Sequence, residues 1–201
     1  SFLPSAQLAL ELYDHPHEVQ RLAQEIHEAW WWHFQAFDAM IRSVNPGYTA
    51  WTPLLSASSY YMLQCDFAYL IGPEMFNEFA LPELTASCAR LERPFYHLDG
   101  TGQLPHLDRI LAIPGLAGVQ WIPGEGNPDT REWPHVYRKI RDAGKRIQLF
   151  VDQSAAGLGV LDTLAEQLGS LESVAIIGVV QSGAEEDAAR DCLDRHGVPW
   201  V

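Results

Sequence analysis

The stretch Phe95-Tyr96-His97-Leu98-Asp99-Gly100 has the pattern of a short apolar strand that ends in an imidazole, a carboxylate and a turn glycine. Pro105-His106-Leu107-Asp108 follows after a short loop, and an apolar helical pattern then resumes. In α/β enzymes the carboxyl ends of the strands carry the chemistry. The stretch therefore predicts both a strand-to-helix unit and a candidate site.

The pattern of a strand followed by a helix occurs five times in succession. The predicted strands are 60–63, 95–98, 118–122, 146–151 and 174–180. The helices predicted after them are 73–91 with a kink or a break at Pro82, 105–113, 133–143, 155–171 and 184–196. A long helix over 17–42 precedes the first strand. Such alternation is typical of an α/β fold, with a parallel sheet and helical crossovers.

Five units of this kind suit either a doubly wound open sheet or part of a (β/α)8 barrel. A complete barrel has eight strands and about 250 residues, whereas this chain has 201 residues. No unit has a Gly-x-Gly-x-x-Gly or Walker pattern, so a nucleotide-binding fold has no motif support. We expect a single domain over 1–201 that is either an open sheet or a segment of a barrel.

The composition narrows the class of partner. Acidic side chains number 26 and basic ones 13, which gives a formal charge of -13. Nucleic acids are bound by clustered Lys and Arg, so a nucleic-acid partner is not expected. The three cysteines, Cys65, Cys88 and Cys192, form no paired framework, which favours a reduced compartment. No apolar run approaches the roughly 18 residues of a membrane span, and the N-terminus lacks a signal-peptide pattern. The expectation is a soluble, cytoplasmic protein with a small-molecule substrate.

The segment Cys65-Asp66-Phe67-Ala68-Tyr69-Leu70-Ile71-Gly72-Pro73-Glu74-Met75-Phe76, with Leu81-Pro82 after it, resembles a signature of the uroporphyrinogen decarboxylase superfamily. In that family a strand ending in Asp leads into a Ser/Gly-Pro-Glu-x-Phe helix and a Leu/Val-Pro pair. The His97-Leu98-Asp99-Gly100 loop and the later strands follow in the family's order. The resemblance spans roughly residues 8–171.

This resemblance implies a (β/α)8 TIM barrel with its site at the carboxyl ends of the strands. The matching region corresponds to the later part of the family's domain. We therefore expect an incomplete barrel of about five βα units preceded by a long helix, either as a fragment or as a lineage shortened at its N-terminus. An incomplete barrel exposes two sheet edges, so further chain or a partner, such as a second copy in a homo-oligomer, is expected to cover them.

The superfamily contains two chemistries. The decarboxylase itself is metal-free and uses an aspartate and arginines from N-terminal segments that have no match here. The methyltransferases hold zinc through a His-x-Cys loop and a later Cys, and this chain has His97-x-Asp99 at the equivalent loop. The resemblance therefore favours metal-assisted methyl transfer, with a corrinoid on a partner protein. Uroporphyrinogen-type decarboxylation and a non-catalytic binding domain are the alternatives.

His97 and Asp99 stand two apart on the predicted strand, so both side chains point to the same face. They could share a divalent transition metal, with zinc as the first choice, and His106 could complete the ligand set. They could instead be an acid–base pair without a metal, or brace the loop. Asp66, at the end of another strand, fits a catalytic role and a helix cap equally well.

Four further strand residues are candidates for substrate binding: Tyr60, Tyr61, Gln120 and Trp121. One member of each adjacent pair must face the barrel interior, although core packing explains them equally well. Glu125 lies between two glycines in the loop Pro123-Gly124-Glu125-Gly126-Asn127-Pro128. An acid in such a strand-end loop is a candidate substrate or metal contact, with surface solvation as the alternative.

Overall fold

The structure is a computed structural model that describes residues 4–151, 156–178 and 182–199. It confirms the α/β class, because five strands form one all-parallel sheet in the order β1-β2-β3-β4-β5. The strands are β1 (Tyr60–Gln64), β2 (Arg93–Asp99), β3 (Gly118–Ile122), β4 (Arg146–Phe150) and β5 (Val174–Ile177). All five predicted strands are thus present, and 118–122 has the predicted bounds. Of the predicted strand 174–180, residues 179 and 180 lie outside the described part of the chain.

Helices connect the strands, as the sequence predicts. The described α-helices are α1 (Ser5–Asp14), α2 (Pro16–Ile41), α3 (Pro73–Met75), α4 (Leu81–Arg90), α5 (Leu107–Leu111), α6 (Pro134–Asp142), α7 (Val160–Leu168) and α8 (Gly183–Arg195). Short 3-10 helices lie at Asp66–Leu70, Thr101–His106, Thr130–Glu132 and Gly157–Gly159. Ala155, where the fourth crossover helix was predicted to begin, is outside the described residues.

An irregularity is present in the helix after β1, where a kink or a break was predicted at Pro82. A π-helical turn at Phe76–Ala80 separates α3 from α4, and Pro82 is the second residue of α4. Proline has no N–H and its ring crowds the carbonyl four residues earlier, which here belongs to Glu78 inside the π turn. The proline therefore accounts for the irregular turn just before it.

Three helical segments differ from the prediction. In the described residues, the helix predicted over 155–171 is a 3-10 helix at Gly157–Gly159 followed by α7, which ends at Leu168. Helix α1 was not predicted, because only Leu12 among its residues is buried and its apolar pattern is short. The helix predicted over 105–113 consists of the last residues of a 3-10 helix followed by α5. Pro105 lies inside that 3-10 helix, where its missing N–H disfavours a regular α-helix.

The chain divides into two compact units. The first contains Ser1–Tyr96 and Gly102–Leu116, and the second contains His97–Thr101 and Ala117–Val201. The single domain expected over 1–201 stays a prediction.

In the first unit, α2 packs on α4 and on the π turn. Its Trp31 is buried, and Arg90 of α4 lies over the Trp31 ring at 5.3 Å. The core of this unit includes the fully buried Met62 of β1, Phe76 of the π turn and Ile110 of α5. The rings of Trp30 and Tyr61 meet at 5.0 Å between centroids, which joins α2 to β1. Burial of apolar side chains of this size stabilises the fold by about 1.5–3 kcal/mol each.

In the second unit, β3, β4 and β5 pair in parallel, with Val119 opposite Ile147 and Ile147 opposite Val174. Helix α6 packs on β4 and on α7. Its buried residues Val136, Tyr137 and Ile140 occupy one face of an otherwise charged helix. The carboxyl end of β3 carries part of the candidate site, which is described below.

None of the described helices combines the length and the apolar character needed to cross a membrane.

Candidate functional site

His97 and Asp99 lie at the end of β2 and belong to the second unit. Their side chains share one face, as the alternation predicts, and His97 Nε2 is 3.7 Å from Asp99 Oδ2. The His97 side chain is 12% exposed, whereas that of Asp99 is 47% exposed. The carboxylate therefore meets solvent and the imidazole lies behind it.

Two buried glutamines continue the hydrogen bonding from His97 across the sheet. Gln120 of β3 stands opposite Gln148 of β4 in the strand register. His97 Nδ1 is hydrogen-bonded to Gln120 Oε1, and Gln120 Nε2 donates to Gln148 Oε1 at 3.1 Å. Both glutamines are fully buried. We call His97, Gln120 and Gln148 the amide ladder.

The ladder ends at the amide nitrogen of Gln148. Within the described part of the chain this Nε2 is buried and has no hydrogen-bond partner. The neighbour of Gln148 on β5 is Ala175, whose side chain has no polar atom. Buried glutamines cost free energy unless they are hydrogen-bonded, so two of them in a row are unusual in an otherwise apolar pair of strands.

A cavity of about 450 Å³ opens at the carboxyl ends of β2 and β3. Its volume is within the range of small-molecule sites, about 300–1,000 Å³. The lining residues are Asp99, Ile122, Pro123, Gly124, Glu125, Asn127, Pro128, Asp129 and Thr130. Asp99 thus faces the cavity, and Glu125 lies on its rim, as an exposed residue of the loop after β3.

Hydrogen bonds brace the loop that forms the cavity wall. Gly100 N donates to Ile122 O at 2.8 Å, which joins the ends of β2 and β3. Asn127 Nδ2 donates to Pro123 O at 2.9 Å, and Tyr137 OH donates to Thr130 O at 2.6 Å. The wall is therefore tied at both ends and to helix α6.

The cavity wall is acidic. Among the described residues that line it are three carboxylates, from Asp99, Glu125 and Asp129, and no Lys or Arg. Asp129 Oδ1 accepts hydrogen bonds from Arg131 Nε at 2.9 Å and from Arg131 N at 3.0 Å, so this carboxylate is already balanced. The wall suits a neutral or cationic ligand better than an anionic one.

Asp66 and His106 lie in the first unit. Asp66 is exposed and begins the 3-10 helix after β1. His106 is fully buried; its Nε2 donates to Ala68 O at 2.9 Å, and its ring stacks on Phe76 at 4.4 Å. His106 thereby holds the turn that follows β1 against the core, which is a structural contact.

Tyr60 and Tyr61 also lie in the first unit. Tyr60 is buried, with its hydroxyl 2.8 Å from Thr52 Oγ1 and its ring 6.0 Å from that of Phe95. Tyr61 packs against α2 and lines a smaller cavity of about 230 Å³. Neither residue lines the cavity at Asp99. Their role in substrate binding stays a prediction.

Gln120 and Trp121 point to opposite faces of β3, since adjacent strand residues alternate. Gln120 belongs to the amide ladder. Trp121 is 1% exposed, and its ring meets that of Trp133 at 5.1 Å, next to the start of α6. The structure therefore places Trp121 in the core between sheet and helix, where its contacts are those of a packing residue.

The predicted metal site is incomplete in the described residues. His97 Nε2 and Asp99 Oδ2 are close enough to share an ion, but they supply two protein donors, and catalytic zinc sites use three. Over residues 4–151, 156–178 and 182–199 no three His, Cys, Asp or Glu side chains form a group that could hold a metal. The role predicted for His106 as a metal ligand stays a prediction. The metal itself stays a prediction.

The pKa of the Cys65 thiol, in the first unit, can be tested by the pH dependence of its chemical labelling. Burial raises the pKa of its thiol from the ordinary 9.0 to about 11. Because the thiolate is the reactive form, we expect iodoacetamide to modify Cys65 at pH 8 about 100-fold more slowly than in the unfolded chain. The rate should rise about tenfold per pH unit up to about pH 11. Peptide mapping by mass spectrometry measures it.

The same shift makes the fold less stable in alkali. The folded protein binds the thiol proton more tightly than the unfolded chain does, so this contribution to the free energy of unfolding is present below pH 9 and declines as the pH rises towards 11. Cys65→Ala should lose this part of the pH dependence. Equal labelling rates for folded and unfolded protein at pH 8 would contradict the burial of the thiol.

Sequence reasoning alone missed Gln148 and the cavity residues Asn127, Asp129 and Thr130. A signal for Gln148 exists, because it is the polar residue in the middle of the strand Arg146-Ile147-Gln148-Leu149-Phe150.

Comparisons of the chain with protein-family models, with curated proteins and with solved structures found no match.

Proposed function

We propose that the chain is part of a (β/α)8 barrel enzyme of the uroporphyrinogen decarboxylase superfamily that transfers a methyl group at the His97–Asp99 site. One observation carries the proposal: Asp99, with His97 behind it, opens onto a cavity of about 450 Å³ at the carboxyl ends of two parallel strands. This is the position at which barrel enzymes keep their active sites.

The barrel is supported by the order of the strands. They follow one another in the sheet as they do along the chain, without a reversal. A doubly wound sheet reverses its strand order at a switch point, whereas a barrel does not. Parallel crossovers are right-handed in almost all proteins, so successive connections of this kind place their helices on one face of a sheet. The face that carries the amide ladder then corresponds to the interior of a barrel.

Methyl transfer is supported by the chemistry of the cavity. Removal of a methyl group from an amine or an alcohol leaves a nitrogen or oxygen that needs a proton. Asp99 lines the cavity and His97 Nε2 lies 3.7 Å behind its carboxylate, so the pair can hold a proton and deliver it there. The acidic wall admits a neutral or cationic methylated compound and disfavours uroporphyrinogen, which carries eight carboxylates.

The acid–base form of this reaction is the one that the geometry supports best. The resemblance also implies zinc, for which the described residues supply two donors, and we derive no step through a metal. It further implies a corrinoid on a partner protein, which would accept the methyl group. The work of this chain is then to bind the methyl donor, exclude water around it and protonate its leaving atom.

A methyl-transfer assay tests the proposal. The protein is incubated with free reduced cobalamin as the acceptor and with methanol, methylated amines or methoxyarenes as donors, and methylcobalamin is followed by absorbance. We expect transfer from at least one neutral or cationic donor, without added metal and after dialysis against a chelator. Loss of transfer on chelation would replace the acid–base form by the metal-assisted one.

A parallel assay with uroporphyrinogen addresses the alternatives. We expect no coproporphyrinogen to form. Its appearance in the absence of methyl transfer would overturn the proposal in favour of decarboxylation. Absence of both reactions in the protein encoded by the full reading frame would overturn it in favour of a binding domain.

A further inference from the structure

We propose that Gln120 and Gln148 are positioning residues, whose side-chain amides hold the imidazole of His97 as its Nδ1–H tautomer with Nε2 turned toward Asp99. This tautomer is a property of the resting protein and is independent of any substrate. Its meaning for catalysis rests on the proposed function.

The two glutamines stand where apolar residues are expected. Each is the polar residue in the middle of a strand, and each is fully buried. Their side chains face each other across the β3–β4 pair and share the face of His97. An apolar pair of the same size would avoid the free-energy cost of burying two amides. The two amides therefore have a role other than packing.

The direction of the hydrogen bonds sets the tautomer. Gln120 Nε2 donates to Gln148 Oε1 at 3.1 Å, so the oxygen of the Gln120 amide is the atom that faces His97. An amide oxygen can only accept, and Nδ1 must therefore carry the hydrogen. In the neutral ring the other nitrogen, Nε2, is then the one without a hydrogen.

Gln148 is needed because the side-chain amide of Gln120 can rotate by half a turn, which exchanges the positions of its oxygen and its nitrogen. If nothing held its nitrogen, the Gln120 side chain could present NH2 to His97, and Nδ1 would become the acceptor with the proton on Nε2. Gln148 Oε1 accepts from Gln120 Nε2, and this hydrogen bond is lost if the Gln120 amide turns over alone. Gln148 thus acts on His97 through Gln120, across two strands.

The consequence for the site follows from the 3.7 Å between His97 Nε2 and Asp99 Oδ2. With Nδ1 occupied by the ladder, a proton that enters the pair is taken up at Nε2, opposite the carboxylate. Asp99 lines the cavity, so this proton lies one residue away from a bound ligand. The ladder thereby determines which ring nitrogen exchanges protons with the site.

Nitrogen NMR of the protein labelled with ¹⁵N-histidine tests the claim. The chain has eight histidines, and His97→Gln identifies the signals of His97. At a pH where the ring is neutral, we expect the wild-type spectrum to show His97 as the Nδ1–H tautomer. A spectrum with the proton on Nε2 would overturn the proposal, because it corresponds to a ladder with both amides turned over.

Variants separate positioning from packing. Gln120→Leu removes the acceptor, and we expect the ratio of Nδ1–H to Nε2–H to fall by about fivefold or more, the factor associated with one hydrogen bond. Gln148→Leu should change the ratio in the same direction. Gln120→Glu supplies a carboxylate acceptor and should restore the Nδ1–H form. An unchanged tautomer in Gln120→Leu would overturn the proposal.

Gln103→Leu is the matched control. Gln103 is also fully buried and accepts a hydrogen bond from Tyr96 OH at 2.8 Å, but it lies in the first unit and outside the ladder. We expect it to leave the His97 signals unchanged. If circular dichroism shows that a ladder variant is unfolded, the tautomer seen in the wild-type spectrum still tests the proposal. No substrate is present, so failure of the methyl-transfer assay does not affect this result.

Discussion

Asp99→Asn and His97→Gln are each expected to lower the rate of methyl transfer by about 10²- to 10⁴-fold, the usual contribution of a positioned acid or base. Asp99→Asn keeps the shape of the residue that lines the cavity but removes its capacity to take up a proton. His97→Gln retains a polar side chain behind it without a titratable nitrogen. Rates are measured by methylcobalamin formation at saturating donor.

A second histidine–aspartate pair in the same unit provides the control. His196 Nε2 is 2.7 Å from Asp162 Oδ1, which is closer than the candidate pair, but neither residue lines the cavity. His196→Gln and Asp162→Asn should leave the rate within about twofold, because surface ion pairs contribute little beyond local stability. Full activity in Asp99→Asn would contradict the assignment of the site.

Trp121→Ala is expected to lower the free energy of unfolding by about 3–5 kcal/mol. The side chain is 1% exposed and meets the ring of Trp133 at 5.1 Å, so its removal leaves a large cavity between β3 and α6. The cost combines the lost burial of the indole with the lost contacts of the cavity walls. Urea unfolding followed by circular dichroism measures it.

Trp121→Phe separates packing from substrate binding. Phenylalanine keeps an aromatic ring at this position, and we expect a smaller loss, about 1–2 kcal/mol, with the transfer rate of the folded protein unchanged. If Trp121→Phe abolished transfer while stability was kept, Trp121 would contact the substrate and its placement in the core would be wrong.

Much of the fold could be predicted because its signals are local. The apolar runs of β3 and β4 and the glycines and prolines between them mark the strands without any knowledge of their partners. Residues two apart on a strand share a face, so the common side of His97 and Asp99 also followed from sequence. Pro82 marked the break in the first crossover helix for the same kind of reason.

The remaining features depend on contacts between distant segments. Alternation requires Gln120 and Trp121 to face opposite sides, but it does not tell which of the two faces the helices. That choice is set when Trp121 packs on Trp133 of the next segment. Likewise, the hydrogen bond of His106 Nε2 to Ala68 O, 38 residues earlier, could not be read from the sequence.

The hydrogen bonds of the amide ladder could not be predicted from the sequence for the same reason. Gln120 and Gln148 are visible in the sequence as polar residues inside apolar strands, which is a signal that they have a special role. Their hydrogen bond, however, needs the strand register that places residue 120 opposite residue 148. A shift of one residue would turn one amide to the other face.

The central claim is that ligand binds beside His97 and Asp99, and titration of the ¹⁵N-histidine-labelled protein with a donor active in the transfer assay tests it most directly. We predict that the Nε2 signal of His97 shifts and saturates at the donor concentration that gives half-maximal rate, while the signals of His196 and His106 stay in place. A donor that is turned over while His97 does not respond would contradict the account.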